Sequence, residues 1–414
     1  MDVFVDILAL LVITRLFGEA AERLGQTASV GEMLAGIFLA GLIAAFGTSL
    51  PIIGRLPESE VLAQLAEIGI FFLVLLAGIE LQPKSLAKHA AAGFGIALGG
   101  MAVPMAFGFA LAWVFLPDIP ARPALSMLVA LALSITAIPA TVKVLMEFGL
   151  LQRRSGQIVI AAALFDDVFS ILLFAILAAV LKTGALPSSI ALGWIVVKAM
   201  AFFGVTMLLG VHVYPRIGRR IRLMQAAAVE FSFLVAVALF YGLLAESLGL
   251  HWVLGAFMAG LFFESSRVGA AVHLEMKLLV TAITSGVLAP LFFASIGLQV
   301  DLRAVADAPV FIVALIATAI AGKFLGAGIP TYLAYRDRRE AGIVGIGMSA
   351  RGAFELIVLS VALKAGLFAQ TEGQDGVAQH LFSSLVLMAV ATTLLTPILL
   401  RRLLKRPPED GGRP

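Results

Sequence analysis

Apolar runs of membrane-spanning length follow one another along nearly the whole chain, separated by short segments in which charge collects. Set against the roughly 20 residues a helix needs to cross a bilayer, they predict about thirteen membrane helices. The predicted spans are 3–17, 30–46, 60–80, 88–116, 122–147, 155–182, 189–214, 226–248, 250–265, 279–298, 309–334, 341–366 and 378–404. Basic residues crowd into alternate intervening segments: Lys84/Lys88, Arg153/Arg154, Arg216/Arg219/Arg220/Arg222, Arg336/Arg338/Arg339 and Arg401/Arg402/Lys405/Arg406. The positive-inside rule therefore puts the C-terminus in the cytoplasm and, for an odd number of spans, the N-terminus outside. Val3 to Leu16, flanked by Asp2 and Asp6, reads as the first membrane helix rather than a secretory signal. The tail from Lys405 to Pro414 reads as a short disordered cytoplasmic end.

Composition sharpens this picture. Of 414 residues 61% are apolar and 13% charged, whereas a soluble domain has about 45–50% and about 25%. The fold class is thus an all-α polytopic membrane protein with no room for a separate soluble domain. Most of the 40 glycines lie inside apolar runs, as close helix packing in lipid requires. Cysteine is absent, which excludes disulfides and thiolate metal sites. His89, His212, His251, His273 and His380 are scattered without metal-ligand spacing. The basic residues sit in loops, so the net charge of +3 signals no nucleic-acid binding. There is no phosphate loop, nucleotide fingerprint or hydrolase triad. An enzyme is not indicated, no cofactor is implied, and transport is not driven by ATP hydrolysis on this chain.

Thirteen spans divide as six, one and six. A single linking helix places the second six upside down relative to the first, the inverted-repeat plan of secondary transporters. The fifth and twelfth spans are then counterparts, and both are irregular. The fifth carries Ser134, Thr136, Pro139 and Thr141 in mid-membrane; the twelfth carries Gly345, Gly347, Ser349, Arg351, Gly352 and Glu355. Such interruptions free backbone groups and are tolerated only where they line a cavity. Two crossed discontinuous helices with opposed dipole ends would suit a small ion.

Charge inside the sixth span is the sharpest chemical signal. Asp166 and Asp167 lie within Ile158–Phe174, which otherwise reads as lipid-embedded helix. One charge at mid-membrane costs about 3 kcal/mol on insertion scales, so an adjacent pair points to an ion or proton path. Neighbouring carboxylates resist ionising together and are suited to trading protons for a cation. Lys323, deep in the eleventh span, should have a carboxylate partner or lose its proton, and Asp166 is the natural candidate for that partner. Arg351 and Glu355, four apart, share a helical face and can pair, neutralising the ends of a broken helix. Arg15, Lys143 and Lys198 read as residues that snorkel to an interface or line a helix end, and Glu32, Glu67, Glu80 and Glu230 as interfacial carboxylates near span ends.

An ordered set of segments then resembles a known family. The set comprises Gly31-Glu-Met-Leu-Ala-Gly36, Leu73-Val-Leu-Leu-Ala-Gly-Ile-Glu80, Thr136 in a broken helix, and Ala163-Leu-Phe-Asp166-Asp167-Val. It continues with Gly255-Ala-Phe-Met-Ala-Gly260, Ala289-Pro-Leu-Phe-Phe-Ala-Ser-Ile-Gly297, Gly322-Lys323 and Gly347-Met-Ser-Ala-Arg351-Gly352. Over nearly its whole length the chain resembles the monovalent cation/proton antiporters, in particular NapA-like sodium/proton antiporters and the membrane domains of Kef-type potassium systems. The resemblance implies a homodimer in a bacterial inner membrane, in contact with lipid, exchanging Na⁺ for protons by an elevator-like alternating-access movement.

It also implies a dimerisation domain (1–84 and 223–304), a mobile core (85–184 and 305–404), a linker helix (185–222) and the tail 405–414. Asp167 takes the place of the essential ion-binding carboxylate, Asp166 that of its partner paired with Lys323, and Thr136 supplies ligand oxygen. Ser134, Pro139, Arg351 and Glu355 support the helix crossing. Two aspartates, rather than asparagine first, imply electrogenic exchange. One departure stands out: Ala353 occupies a position where NapA-like chains commonly carry glutamate, and the carboxylate comes instead at Glu355. No Kef-type nucleotide-binding domain is found in the sequence. Potassium/proton exchange of Kef-like type is the alternative, with a cation channel or a transport-dead sensor further behind.

Overall fold

The computed structural model describes residues 2–24, 26–46, 54–81, 83–183, 189–216, 228–298, 300, 308–351, 355, 358–359, 362, 367, 377 and 380–405. Most of the second half of the twelfth predicted span lies outside the described residues, as do Ala353 and the tail from Arg406.

Helices account for almost all of what is described. They are α1 (Asp2–Arg23), α2 (Ala28–Phe46), α3 (Glu60–Glu80), α4 (Pro83–Phe115), α5 (Arg122–Ser134), α6 (Ile138–Glu147), α7 (Arg154–Thr183) and α8 (Ser189–His212). After them come α9 (Val229–Ser247), α10 (Trp252–Leu261), α11 (Ala270–Ile283), α12 (Ala289–Leu298), α13 (Pro309–Tyr335), α14 (Arg338–Gly347) and α15 (Leu381–Lys405). Among the described residues nine helical segments are long and apolar enough to cross a membrane. Their outward surfaces carry Phe38, Trp194, Met200, Leu243 and Val313, the mark of helices solvated by lipid rather than water.

Two departures from the hydrophobic pattern have local causes. The fifth predicted span is two helices, α5 and α6, because Pro139 has no N–H for the carbonyl of Ile135 and clashes with it, so the backbone runs extended through Ile135 and Ala137. The tenth begins earlier, at Ala270, and passes from α11 to α12 through a π-turn, Thr284–Leu288, that inserts extra backbone. Arg15 of α1 donates to the carbonyls of Ser285 and Gly286 in that turn, the latter at 2.6 Å.

Packing gathers the helices into two bodies. In one, α1 lies on α2, α2 and α3 pack on α12, and α3 and α9 pack on α10. In the other, α4 packs against α5, α7 and α13, and α13 against α14 and α15. Direct packing between the bodies is sparse, chiefly α3 on α6 and α15 on α2.

Glycine sets the closest approaches. A Cβ on Gly36 would lie 2.2 Å from the Ala294 carbonyl oxygen, beside Gly297, and one on Gly297 would lie 2.3 Å from the Met33 oxygen, beside Gly36. Gly78 and Gly260 meet in the same reciprocal way between α3 and α10, and Gly99 and Gly326 between α4 and α13. The stretches Gly31–Gly36 and Gly255–Gly260 also match in use. Gly31 seats on Phe17 and Gly18 of the preceding helix, and Gly255 on Tyr241 and Gly242.

Candidate functional site

The site forms where the break between α5 and α6 meets the end of α14. The amide of Ala137 donates to the carbonyl of Ala350 at 2.9 Å, joining the two interruptions through the backbone. Thr136 and Thr141 each donate a hydroxyl, at 3.3 Å, to the carbonyls of Met348 and Gly347. Carbonyls left without intrahelical partners at the end of α14 are thereby satisfied by neutral hydroxyls.

The matching end of α5 is treated differently. Arg351 is buried, and its guanidinium donates to the carbonyls of Ala132, Leu133 and Ile135. Ile135 is the residue whose carbonyl Pro139 leaves without a helical donor. A full positive charge thus sits on the negative end of one half-helix. The Arg351 backbone is held in turn by Thr393 of α15, whose hydroxyl accepts from the Arg351 amide and lies 2.9 Å from its carbonyl.

Lys323 reaches this crossing from α13. Gly322 before it lets α13 close on Pro104 of α4, where an added Cβ would come within 2.8 Å. The lysine Nζ donates to the Thr136 hydroxyl at 2.6 Å and to Asp166 Oδ1 and Oδ2 at 3.2 and 3.4 Å. Lysine and Asp166 are both wholly buried. A charge pair so far from water persists only when each partner is compensated, and here one ammonium is shared by a carboxylate and a hydroxyl.

Asp167, next on α7, makes no hydrogen bond or ion pair among the described residues and keeps part of its surface exposed. The two aspartates are therefore inequivalent: Asp166 is engaged and sealed, Asp167 is open.

The structure brings Thr136, Asp166 and Lys323 into direct contact, with Asp167 adjacent. Pro139 acts through the backbone at the start of α6. Ser134 turns away and donates to its own helix at Leu131, 2.7 Å. Arg351 and Glu355 do not form the pair that their spacing permits, because the break at Met348–Arg351 aims the guanidinium at α5. Glu355 is fully buried, and neither carboxylate oxygen has a hydrogen-bond partner among the described residues.

Three further charges are tied into the protein. Lys143 is buried and lies 3.4 Å from Glu147 rather than snorkelling. Glu32 is 1% exposed, covered by protein on all sides. Arg15 is half-exposed but tied to the π-turn and 3.7 Å from Glu32. Lys198 and Glu67 are exposed, and Glu80 pairs with Lys277 at 3.0 Å. Among the described residues no cluster of three or more His, Asp or Glu side chains is arranged to hold a metal. The functional groups that sequence reading missed are main-chain carbonyls, Ala132, Leu133, Ile135, Gly347 and Met348, which leave no side-chain signature.

The family model described as "Sodium/hydrogen exchanger, transmembrane" matches residues 7–406. Among curated relatives, the chain is 26% identical over 400 residues to the Na(+)/H(+)-K(+) antiporter GerN of Bacillus cereus, covering 97% of this chain and 96% of that one. It is 27% identical over 406 residues to a Na(+)/H(+) antiporter of Enterococcus hirae, covering 97% and 98%. Among solved structures, the sodium proton antiporter MjNhaP1 from Methanocaldococcus jannaschii, at pH 8, superposes with a TM-score of 0.62 at 16% identity, covering 98% of this chain and 99% of that one.

Proposed function

Because the chain belongs to the transmembrane sodium/hydrogen exchanger family, we propose that it exchanges Na⁺ for protons at Asp167, with Asp166, Thr136 and Lys323 completing the site. It is a multi-pass membrane protein and a secondary-active cation/proton antiporter, not an enzyme. The observation that carries the site is the buried contact of Lys323 with Asp166 and Thr136 beside an open Asp167.

Exchange is competition. A dehydrated cation binds Asp167 and draws in Asp166 and the Thr136 hydroxyl, both of which Lys323 otherwise occupies. The lysine then loses its compensation and sheds a proton, while Asp167 gives up its own. Two protons thus leave for each cation bound, one net charge moves, and transport responds to voltage with about 2.3 kcal/mol per charge per 100 mV. An empty, ionised site is costly to move through lipid, so the carrier moves loaded.

Movement is assigned to the two packed bodies. The body of α4–α7 and α13–α15 is the mobile core (85–184 and 305–404), and that of α1–α3 and α9–α12 the dimerisation scaffold (1–84 and 223–304). The core slides, elevator-like, past the scaffold, with α8 in the linker 185–222. Thirteen spans put the N-terminus outside and the C-terminus in the cytoplasm of a bacterial inner membrane, in a homodimer. The inverted repeat draws support from the glycine contacts: the α2–α12 and α3–α10 crossings exchange places when the two halves are exchanged, and the α4–α13 crossing maps onto itself.

A potassium reading is favoured by one observation: a relative matched along its length is named a Na(+)/H(+)-K(+) antiporter. Hydroxyl and carboxylate oxygens suit both ions. The test of the site is Asp167→Asn in proteoliposomes, expected to abolish cation-driven proton flux; full exchange by that variant overturns the assignment.

A further inference from the structure

Between the two bodies, one polar contact is built differently from the rest. The first N–H groups of a helix have no intrahelical acceptor, and the dipole there favours an anion. At the start of α2 that anion comes from the other body: Glu147, the last residue of α6. Its Oε1 accepts from the Ser29 amide at 3.2 Å and its Oε2 from the Ser29 hydroxyl at 2.7 Å. Thr27 Oγ1 lies 3.1 Å from Ser29 Oγ, and Lys143 Nζ lies 3.4 Å from Glu147 Oε1. Ser29, Thr27 and Lys143 are all buried.

One turn along α2 from Ser29 lies Glu32, fully buried. Its Oε2 has no hydrogen-bond partner among the described residues, and its Oε1 is 3.7 Å from Arg15. Beyond Glu147 in the chain, Gln152 and Gln157 help line a polar cavity of about 510 Å³ whose other walls include Glu80, Glu264, His273 and Lys277 of the scaffold. The seam between the bodies is open and polar there, whereas at Ser29 it is closed by matched donors and acceptors.

We propose that Glu147 and Ser29 form a latch between the half-helix leading from the ion site and the scaffold, which opens and recloses in every transport cycle. The proposal rests on the reading that the two bodies slide past one another. α6 begins at the crossing that holds Thr136 and ends at Glu147, so displacement of the site carries Glu147 off the start of α2. Lys143 travels with Glu147 on α6, so their ion pair is kept when the contact with Ser29 breaks.

The chain contains no cysteine, so Ser29→Cys with Glu147→Cys creates a unique thiol pair. Bridging that pair with a short bis-methanethiosulfonate is expected to cut Na⁺-driven proton flux at least tenfold, with recovery on reduction; each single-cysteine variant treated alike is the control. Full flux through the bridged protein overturns the latch. A second readout does not depend on transport. Glu147→Gln is expected to raise deuterium uptake of the amides at 28–32 several-fold in hydrogen exchange, and unchanged uptake overturns the contact. Silence of the parent protein with every cation would count against the antiport reading alone, while the exchange experiment still judges the Glu147–Ser29 contact on which the latch rests.

Discussion

At the level of single residues, the site works because one ammonium has too few partners to be released cheaply. Lys323 compensates Asp166 and uses Thr136 as an acceptor, all out of reach of water. Removing one member of a buried pair typically costs about 3–5 kcal/mol, because the other is left charged and alone. Lys323→Ala is accordingly expected to lower the melting temperature of the detergent-solubilised protein and to abolish coupled exchange. A variant that melts like the parent would mean the pair contributes nothing to stability. Thr136→Val keeps the shape and removes the hydroxyl that touches both Lys323 and Met348. A lost hydrogen bond to a charged group is worth about 1.5–3 kcal/mol, so the apparent Na⁺ affinity, read as half-maximal proton flux, should weaken by about tenfold or more.

This pairing was legible in the sequence, because an isolated charge at membrane depth demands an opposite one. The buried places of Glu32 and Lys143 were not. Each sits within a turn or two of a predicted span end, where sequence cannot separate a snorkelling side chain from one folded onto another helix.

At the scale of helices, the crossing is asymmetric in a way that spacing alone does not reveal. Four-residue spacing puts Arg351 and Glu355 on one face of an unbroken helix, but the interruption at Met348–Arg351 turns the guanidinium onto α5. Pro139 was readable as a break; the identity of the donor that satisfies the freed Ile135 carbonyl was not, since that depends on the tertiary meeting of two half-helices. Arg351→Ala should leave the carbonyls of Ala132, Leu133 and Ile135 uncapped. The expected result is a protein that expresses poorly or melts several degrees lower, checked by fluorescence-detected size-exclusion after heating.

Glycine crossings give a sharper contrast. Gly36→Val places a side chain where the Ala294 carbonyl already lies at 2.2 Å from the Cβ position, whereas Gly95 has nothing within 4 Å. Overpacking costs about 1–3 kcal/mol or more when backbone must move, so Gly36→Val should destabilise measurably in the same assay and Gly95→Ala should not. The sequence marks all these glycines alike, and only the structure separates those that face another backbone from those that face open space.

For the whole molecule, composition and the rhythm of apolar runs were enough to establish a polytopic helical membrane protein. They also located the broken fifth helix and singled out Asp166 and Asp167. Run lengths could not resolve the internal π-turn before α12, since extra backbone inside a helix leaves hydropathy unchanged. The division into two bodies likewise depends on which helices meet, a property of pairs and not of segments. If protons and Na⁺ compete for Asp167, lowering the pH must raise the Na⁺ concentration needed for half-maximal flux while leaving the maximal rate reachable; a half-maximal concentration independent of pH would contradict competition.

The central claim is tested most directly by proton flux from proteoliposomes, read with an entrapped pH dye on adding Na⁺, Li⁺ or K⁺, with and without a valinomycin clamp of the membrane potential. Flux driven by Na⁺ or Li⁺ and altered by the clamp is the result this account predicts. Silence with every cation, in protein shown to be folded and reconstituted, would contradict it.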